Sequence, residues 1–256
     1  MDITEKKNIL INCDMGESYG TWTLGQDSMV MPHIDMANIA CGFHASDPVN
    51  MENTVVLAKQ SGTHIGAHPG YPDLLGFGRR PMELSEQELQ ANICYQVGAL
   101  QGICALHDVE VEYVKPHGAL YNKMMQDPAV LKVVMQAVKH ALPGCPLVVM
   151  ATPQQASILS LAQEVGVELL FEAFSDRAYC DQGLLVDRKI EGATHNSVEK
   201  IIAQIKQILQ SGTVTTISGN VLSLNVDTIC IHGDGPHAAA IATQIGELSV
   251  GKQHAS

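Results

Sequence analysis

Seven short apolar runs alternate with helical patterns along the whole chain, and this alternation is the strongest constraint on how it can fold. The runs are "NILIN" (8–12), "MANIAC" (36–41), "HIGAH" (64–68), "VEYVKP" (111–116), "LVVMA" (147–151), "ELLFEAF" (168–174) and "TICIHG" (228–233). Several of the helices between them announce their starts. Asp47 before Pro48, and Asp127 before Pro128, each put a capping acceptor ahead of a proline at the first helical position. Ser85 with Glu88 forms a capping box for a helix reaching about His107. Further helices are expected over 154–165, 195–210 and 236–247. Strands that alternate with helices predict a parallel sheet with right-handed crossovers. The first strand is not followed by GxGxxG, so the reading is a seven-stranded parallel (β/α) barrel, TIM-like, rather than an open dinucleotide-binding sheet.

"TTISGNVLSLN" alternates around a Gly-Asn turn and predicts a small β-hairpin at 213–226, laid against the barrel. No linker or repeat interrupts the chain, so residues 1–256 are read as one domain. At 46% hydrophobic and 16% charged, a large core is expected. A net charge of −12, with no basic cluster beyond Arg79–Arg80, argues against a nucleic-acid or anionic-membrane surface. The seven cysteines never form CxxC and fit reduced, buried thiols. The N-terminal "MDITEKKN" has no apolar stretch behind its lysines, and no run reaches the roughly 20 residues a bilayer needs. A cytoplasmic location is therefore expected.

Reactive side chains collect where strands end. Asn12 and Asp14 close the first strand, with Glu17 just beyond Gly16; "CGFHASDP" follows the second with His44 and Asp47. His68 ends the third strand, Lys115 and His117 the fourth, and His232 and Asp234 the seventh. The sixth leads through Glu172 to Asp176 and Arg177. In a parallel barrel these ends share one face, where loops carry chemistry. His64, Glu112 and Glu168 lie at the opposite ends. Asp47 reads first as a helix cap, Asp234 equally as a turn residue, and Arg79–Arg80 either as an anion grip or as a salt-bridged face. His107, His140, His195 and His254 fall on helices or the tail and are not candidates.

Carboxylates and histidines converging from separate strands suit two mechanisms. One is a divalent metal held by Asp14, His44 and His68, activating water on a carbonyl carbon. The other is metal-free proton transfer, with lysine or arginine holding the substrate. No HExxH spacing occurs, so metal ligands would come from different loops.

At the same residues the chain resembles the LamB/YcsF family, the A component of prokaryotic 5-oxoprolinase. The matching blocks are "NCDMGE", "NIACGFHASDP", "GAHPGYPDLLGFGRR", "VKPHGALYN", "EAFSDRAYCDQGLLVDR" and "ICIHGDGPHA". The resemblance implies a barrel related to the polysaccharide deacetylases. It also implies ATP-dependent opening of 5-oxo-L-proline to L-glutamate with partner subunits B and C. This chain has no GxxxxGK[ST] loop, so ATP is expected to be handled through the partners. Asp14, His44, Lys115 and His117 are then the catalytic candidates, with Asp14 or His44 activating water and His68 and His117 binding metal or shuttling protons. Asn12, Glu17, Arg79, His232 and Asp234 are candidates for contacting substrate. The family block usually reads "HAGDP"; Ser46 replaces its glycine here, a change expected to be tolerated unless that residue sits at positive φ. A stand-alone metal-dependent deacetylase is the alternative enzyme, and a purely structural component of a complex the non-enzymatic reading.

Overall fold

A computed structural model describes residues 9–232 together with 241, 243 and 244. The chain enters on β1 (Leu10–Met15), passes through the short α1 (Asp27–Val30) and a 3-10 turn at Met31–His33, and continues into β2 (Met36–Ala40). There follow α2 (Pro48–Ser61), β3 (His64–His68), a second 3-10 turn at Leu74–Gly76, and the long α3 (Glu86–Ala105). Then come β4 (Tyr113–Val114), α4 (Gly118–Gln126), α5 (Pro128–Ala141), β5 (Leu147–Met150), α6 (Gln155–Val165) and β6 (Leu169–Phe174). The last described elements are α7 (Val198–Ser211), the hairpin strands β7 (Thr213–Thr215) and β8 (Val221–Ser223), and β9 (Thr228–His232). Seven strands close in the order β1-β2-β3-β4-β5-β6-β9, all parallel, with β9 returning to β1. β7 and β8 pair antiparallel in a sheet of their own.

The capping signals act as the sequence suggests. Asp47 accepts from the backbone N–H groups of Val49 and Asn50, Asp127 from that of Ala129, and Ser85 with Glu88 completes its box. Three details differ. β1 runs on through Asp14 to Met15, so Asn12 lies inside the strand rather than at its end. The fourth run pairs only at Tyr113–Val114, and α4 follows almost at once. The helix expected from 195 starts at Val198, because Ser197 caps it. Gly233, Asp234 and most of the expected 236–247 helix lie outside the described residues; 241, 243 and 244 are helical. Among the described residues no helix is long and apolar enough to cross a membrane.

Alternation along each strand sorts the side chains. Ile11, Cys13, Ala37, Ile39, Ile65, Ala67, Val149 and Ile229 face the surrounding helices and join the main apolar core. Their neighbours face the barrel axis. There, Leu10, Met36, Tyr113, Val148 and Leu170 form a separate apolar plug at the strand starts. Gly66 makes room for the Tyr113 ring, since a Cβ at Gly66 would fall 2.1 Å from two ring carbons.

That contact yields a paired prediction. Gly66→Ala should destabilise the protein by about 1–3 kcal/mol through overpacking. Gly98→Ala, in the exposed middle of α3 with nothing within 4 Å of the added carbon, should stabilise by about 0.5–1 kcal/mol. Urea denaturation of both variants reads the opposite signs; equal signs would refute the packing account.

Candidate active site

Above the plug the axis-facing residues become polar. Tyr113 Oη donates to Asn38 Oδ1 (2.7 Å), and Asn38 Nδ2 donates to Asn12 Oδ1 and Asp14 Oδ1 (both 2.8 Å). Asn12 Nδ2 donates to Thr228 Oγ1 (2.8 Å). Lys115 reaches into this layer from just past β4. Its Nζ lies 2.9 Å from Asp14 Oδ1, 2.8 Å from Glu172 Oε1, 3.0 Å from Asn12 Oδ1 and 3.2 Å from Cys230 Sγ. Glu172 Oε2 accepts from Tyr121 Oη at 2.9 Å. Lys115 and Glu172 are buried; burial opposes the ammonium, but the Asp14 and Glu172 carboxylates outweigh it and hold its pKa well above the ordinary value.

Three histidines and a carboxylate sit on the mouth side of this network. Glu17 follows β1 across Gly16, whose φ of +68° supplies the sharp turn. His44 stands in the loop after β2, His68 ends β3, and His117 precedes α4. One ligand atom from each of Glu17, His44, His68 and His117 lies within 4.8 Å of every other. His44 and His117 stack with ring centroids 3.8 Å apart and planes 2° from parallel. Close packing holds them there: a Cβ at Gly70 would lie 2.8 Å from His44, and one at Gly78 would lie 2.8 Å from both His44 and His117. Gln96 of α3 fixes the first of these loops by accepting from Gly70 N and donating to Gly70 O, both at 2.9 Å.

The hydrogen bonds constrain the protons. His117 Nε2 faces Phe77 O at 2.9 Å, and His68 Nδ1 faces Lys115 O at 2.6 Å. A carbonyl only accepts, so both of those nitrogens carry hydrogen. His117 Nδ1 and His68 Nε2 are then left facing each other at 2.9 Å, and two lone pairs at that distance require a proton or another cation between them. His44 has both ring nitrogens buried without a hydrogen-bond partner; Glu17 Oε1 is 3.8 Å from its Nε2. Burial, followed by the neighbouring His117 and His68, pushes the His44 pKa well below its usual value, and burial with His68 does the same to His117.

The structure therefore brings together Asn12, Asp14, Glu17, His44, His68, Lys115 and His117. Glu17 and His117 stand at ligand spacing with His44 and His68. Asp14 lies next to them, with Oδ2 3.4 Å from His68 Nε2 and Oδ1 on Lys115 and Asn38. The Lys115 ammonium is turned into the barrel and surrounded by acceptors, rather than presented to the mouth. Arg79 lies over the Phe77 ring, 5.0 Å from its centroid. Arg80 is ion-paired with Asp73, so for this arginine the salt-bridged reading holds. Arg177 is buried and donates to Val186 O and Ala193 O, tying down the loop after β6. His64 and Glu112 pair with each other at the opposite end, 2.7 Å apart. β9 sets His232 in register with Asp14, while the His232 side chain and Asp234 lie outside the described residues. Sequence reasoning misses Asn38, Tyr113, Tyr121 and Cys230 as site residues and finds Glu172 without a role for it. A period-two reading of each strand finds Asn38, Tyr113, Glu172 and Cys230, since each shares its strand's axis-facing set.

Similarity to known proteins follows the same blocks. The model of the LamB/YcsF family matches residues 9–254. The chain belongs to the LamB/YcsF family. Among its relatives, the 5-oxoprolinase A component of Chromohalobacter salexigens is 50% identical over 236 residues, 92% of this chain and 94% of that protein. Its counterpart from Pseudomonas fluorescens is 51% identical over 239 residues, 93% and 96% of the two chains. The crystal structure of a lactam utilization protein from Thermus thermophilus superposes with a TM-score of 0.87 at 37% identity, covering 96% of this chain and 97% of that one. Against the LamB/YcsF "HAGDP" block, Ser46 proves to sit at φ +74° and fully buried, so the condition for easy tolerance is not met. Its hydroxyl accepts from Asn50 Nδ2 at 3.3 Å, which offsets part of the left-handed strain.

Buried His44 makes the metal-free protein acid-sensitive. It stays neutral in the fold, while in the unfolded chain it takes up a proton below about pH 6.5. Its contribution is complete above that pH and is lost as the pH falls from it towards the lowered folded value, by about 1.4 kcal/mol per pH unit. Urea midpoints of chelator-treated protein should drop from pH 7.5 to pH 5.5, and His44→Asn should flatten the slope. An unchanged slope in that variant would contradict the assignment.

Proposed function

We propose that this chain opens the lactam ring of 5-oxoproline to give glutamate, as the A component of an ATP-dependent 5-oxoprolinase. The observation that carries the reading is that proteins about half identical over more than nine-tenths of the chain are 5-oxoprolinase A components. The similarity to a lactam utilization protein supports the same substrate class. The sequence holds no GxxxxGK[ST] loop, so ATP-dependent activation of the lactam is assigned to partner subunits B and C.

The site's chemistry is consistent with hydrolysis of a cyclic amide. Water adds to the lactam carbonyl carbon as its proton passes to Asp14, which is held by Lys115 and Asn38 on one oxygen and faces His68 with the other. The C–N bond then breaks, and the ring nitrogen leaves as an amine, taking the proton that Asp14 received from the water. Arg79, close enough to disfavour protonation of His44 and His117, binds the substrate carboxylate. Three imidazoles with an adjacent carboxylate fit a zinc-class divalent cation, and the two unpartnered nitrogens of His44 have no other use in the fold. Glu17, with Oε1 3.8 Å from both His44 Nε2 and His117 Nδ1, adds a negative charge that also favours a bound cation. Bound there, such an ion would polarise a carbonyl oxygen and acidify a water molecule.

Glutamate release from 5-oxoproline and ATP tests this reading. It is expected only when the chain is mixed with subunits B and C, to fall on chelation and to return with zinc or manganese. Asp14→Asn should lower kcat by about 10²–10⁴-fold with the fold intact. Partner-free turnover of acetylated sugars, with no glutamate released in any mixture, would favour the deacetylase instead.

A further inference from the structure

Glu172 is a carboxylate with no exposed surface, in the middle of a barrel strand, and it touches none of the three histidines. Such a group is costly to bury and persists only when its partners are firmly placed. Its Oε2 accepts from the Tyr121 hydroxyl, and its Oε1 is ion-paired with the Lys115 ammonium at 2.8 Å without an aligned hydrogen bond. Lys115 has three N–H donors and four acceptors within 3.2 Å: Glu172, Asp14, Asn12 and Cys230. No donor is left over for a substrate oxygen. The Phe174 ring also covers the ammonium, 5.6 Å from its centroid. A continuous line of contacts thus runs from Tyr121 through Glu172, Lys115 and Asp14 to His68.

We propose that Glu172 is a positioning residue: it anchors the Lys115 ammonium, Lys115 in turn holds Asp14 with its second oxygen towards His68, and neither Glu172 nor Lys115 touches the substrate. This rests on the lactam-opening reading and changes one part of it, since Lys115 read by type and position alone is a group for substrate charge. Glu172 acts across the barrel, joining β6 to β1 through the side chain that follows β4. Its effect therefore passes through Lys115 and has no route of its own to the reacting atoms.

The test is a double-mutant cycle in the full mixture with subunits B and C, using Glu172→Gln, Lys115→Met and the double variant. Glu172→Gln should lower kcat by about 10–100-fold, with KM for 5-oxoproline changed less than about twofold. Lys115→Met should lower kcat further, again with little change in KM. The double variant should be no slower than Lys115→Met alone, because the two residues act in series. Multiplying effects would overturn the proposal, as would a large rise in KM for Lys115→Met, which is the signature of direct substrate binding. A variant that loses stability while keeping wild-type kcat would also overturn it. Crystal structures of the same variants provide a readout independent of turnover. Asp14 should leave its 3.4 Å contact with His68 when Lys115 is replaced, and an unmoved carboxylate would sink the idea. If the wild-type mixture releases no glutamate, the lactam reading has failed, and those structures alone decide the positioning role.

Discussion

Lys115 carries a positive charge to the middle of a closed barrel, where water cannot screen it, and the chain answers that charge with its own side chains. Asp14, Glu172 and Asn12 converge on the ammonium from two other strands. Removing Lys115 leaves the Glu172 carboxylate buried without its cation, and breaking a buried pair in this way typically costs about 3–5 kcal/mol. The strands must therefore close in this register for the ammonium and its carboxylates to be buried together. Closure by β9 against β1 meets that demand, pairing Asn12 with Cys230 and Asp14 with His232 along the backbone.

The same constraint separates the barrel interior into levels with different work. Leu10, Met36, Tyr113, Val148 and Leu170 exclude water from below. Asn12, Asn38, Lys115 and Glu172 form a polar layer whose donors meet acceptors inside the protein. Glu17, His44, His68 and His117 lie above it, close together, and both His44 nitrogens are left without a hydrogen bond. Satisfied networks stiffen a fold, whereas unsatisfied buried groups mark a place where something else is meant to bind. The His44 nitrogens have neither a hydrogen bond nor a charge within hydrogen-bond distance, whereas Glu172 Oε1 in the layer below has the Lys115 ammonium at 2.8 Å, and the proposed site lies in the upper layer.

Much of this is legible in the sequence. The seven apolar runs become the seven barrel strands, the Asp-Pro and Ser-x-x-Glu caps open their helices, and the rim histidines at 44, 68 and 117 do meet. The readings that differ have physical reasons. Asn12 and Asp14 resemble the end of a strand because polar residues usually are, but an axis-facing position in a barrel with a polar layer accepts them inside the ladder. α4 begins at Gly118, a poor helix former at positive φ, and so carries no starting signal. Glu172 is hidden by its apolar neighbours in "LLFEAF", whose composition speaks for a core strand. Ser46 adopts a left-handed backbone angle that glycine would announce and serine does not.

Periodicity and capping, being local properties, determined by themselves that this chain alternates strands with helices and places its reactive residues at one end of the strands. Only the tertiary structure decided which of those residues act together. Asp14 and Lys115 are 101 positions apart and Tyr121 and Glu172 are 51 apart, and their contacts exist because the barrel closes. Charge pairing across a dry interior depends on distances between strands, and those distances are not written in any one strand.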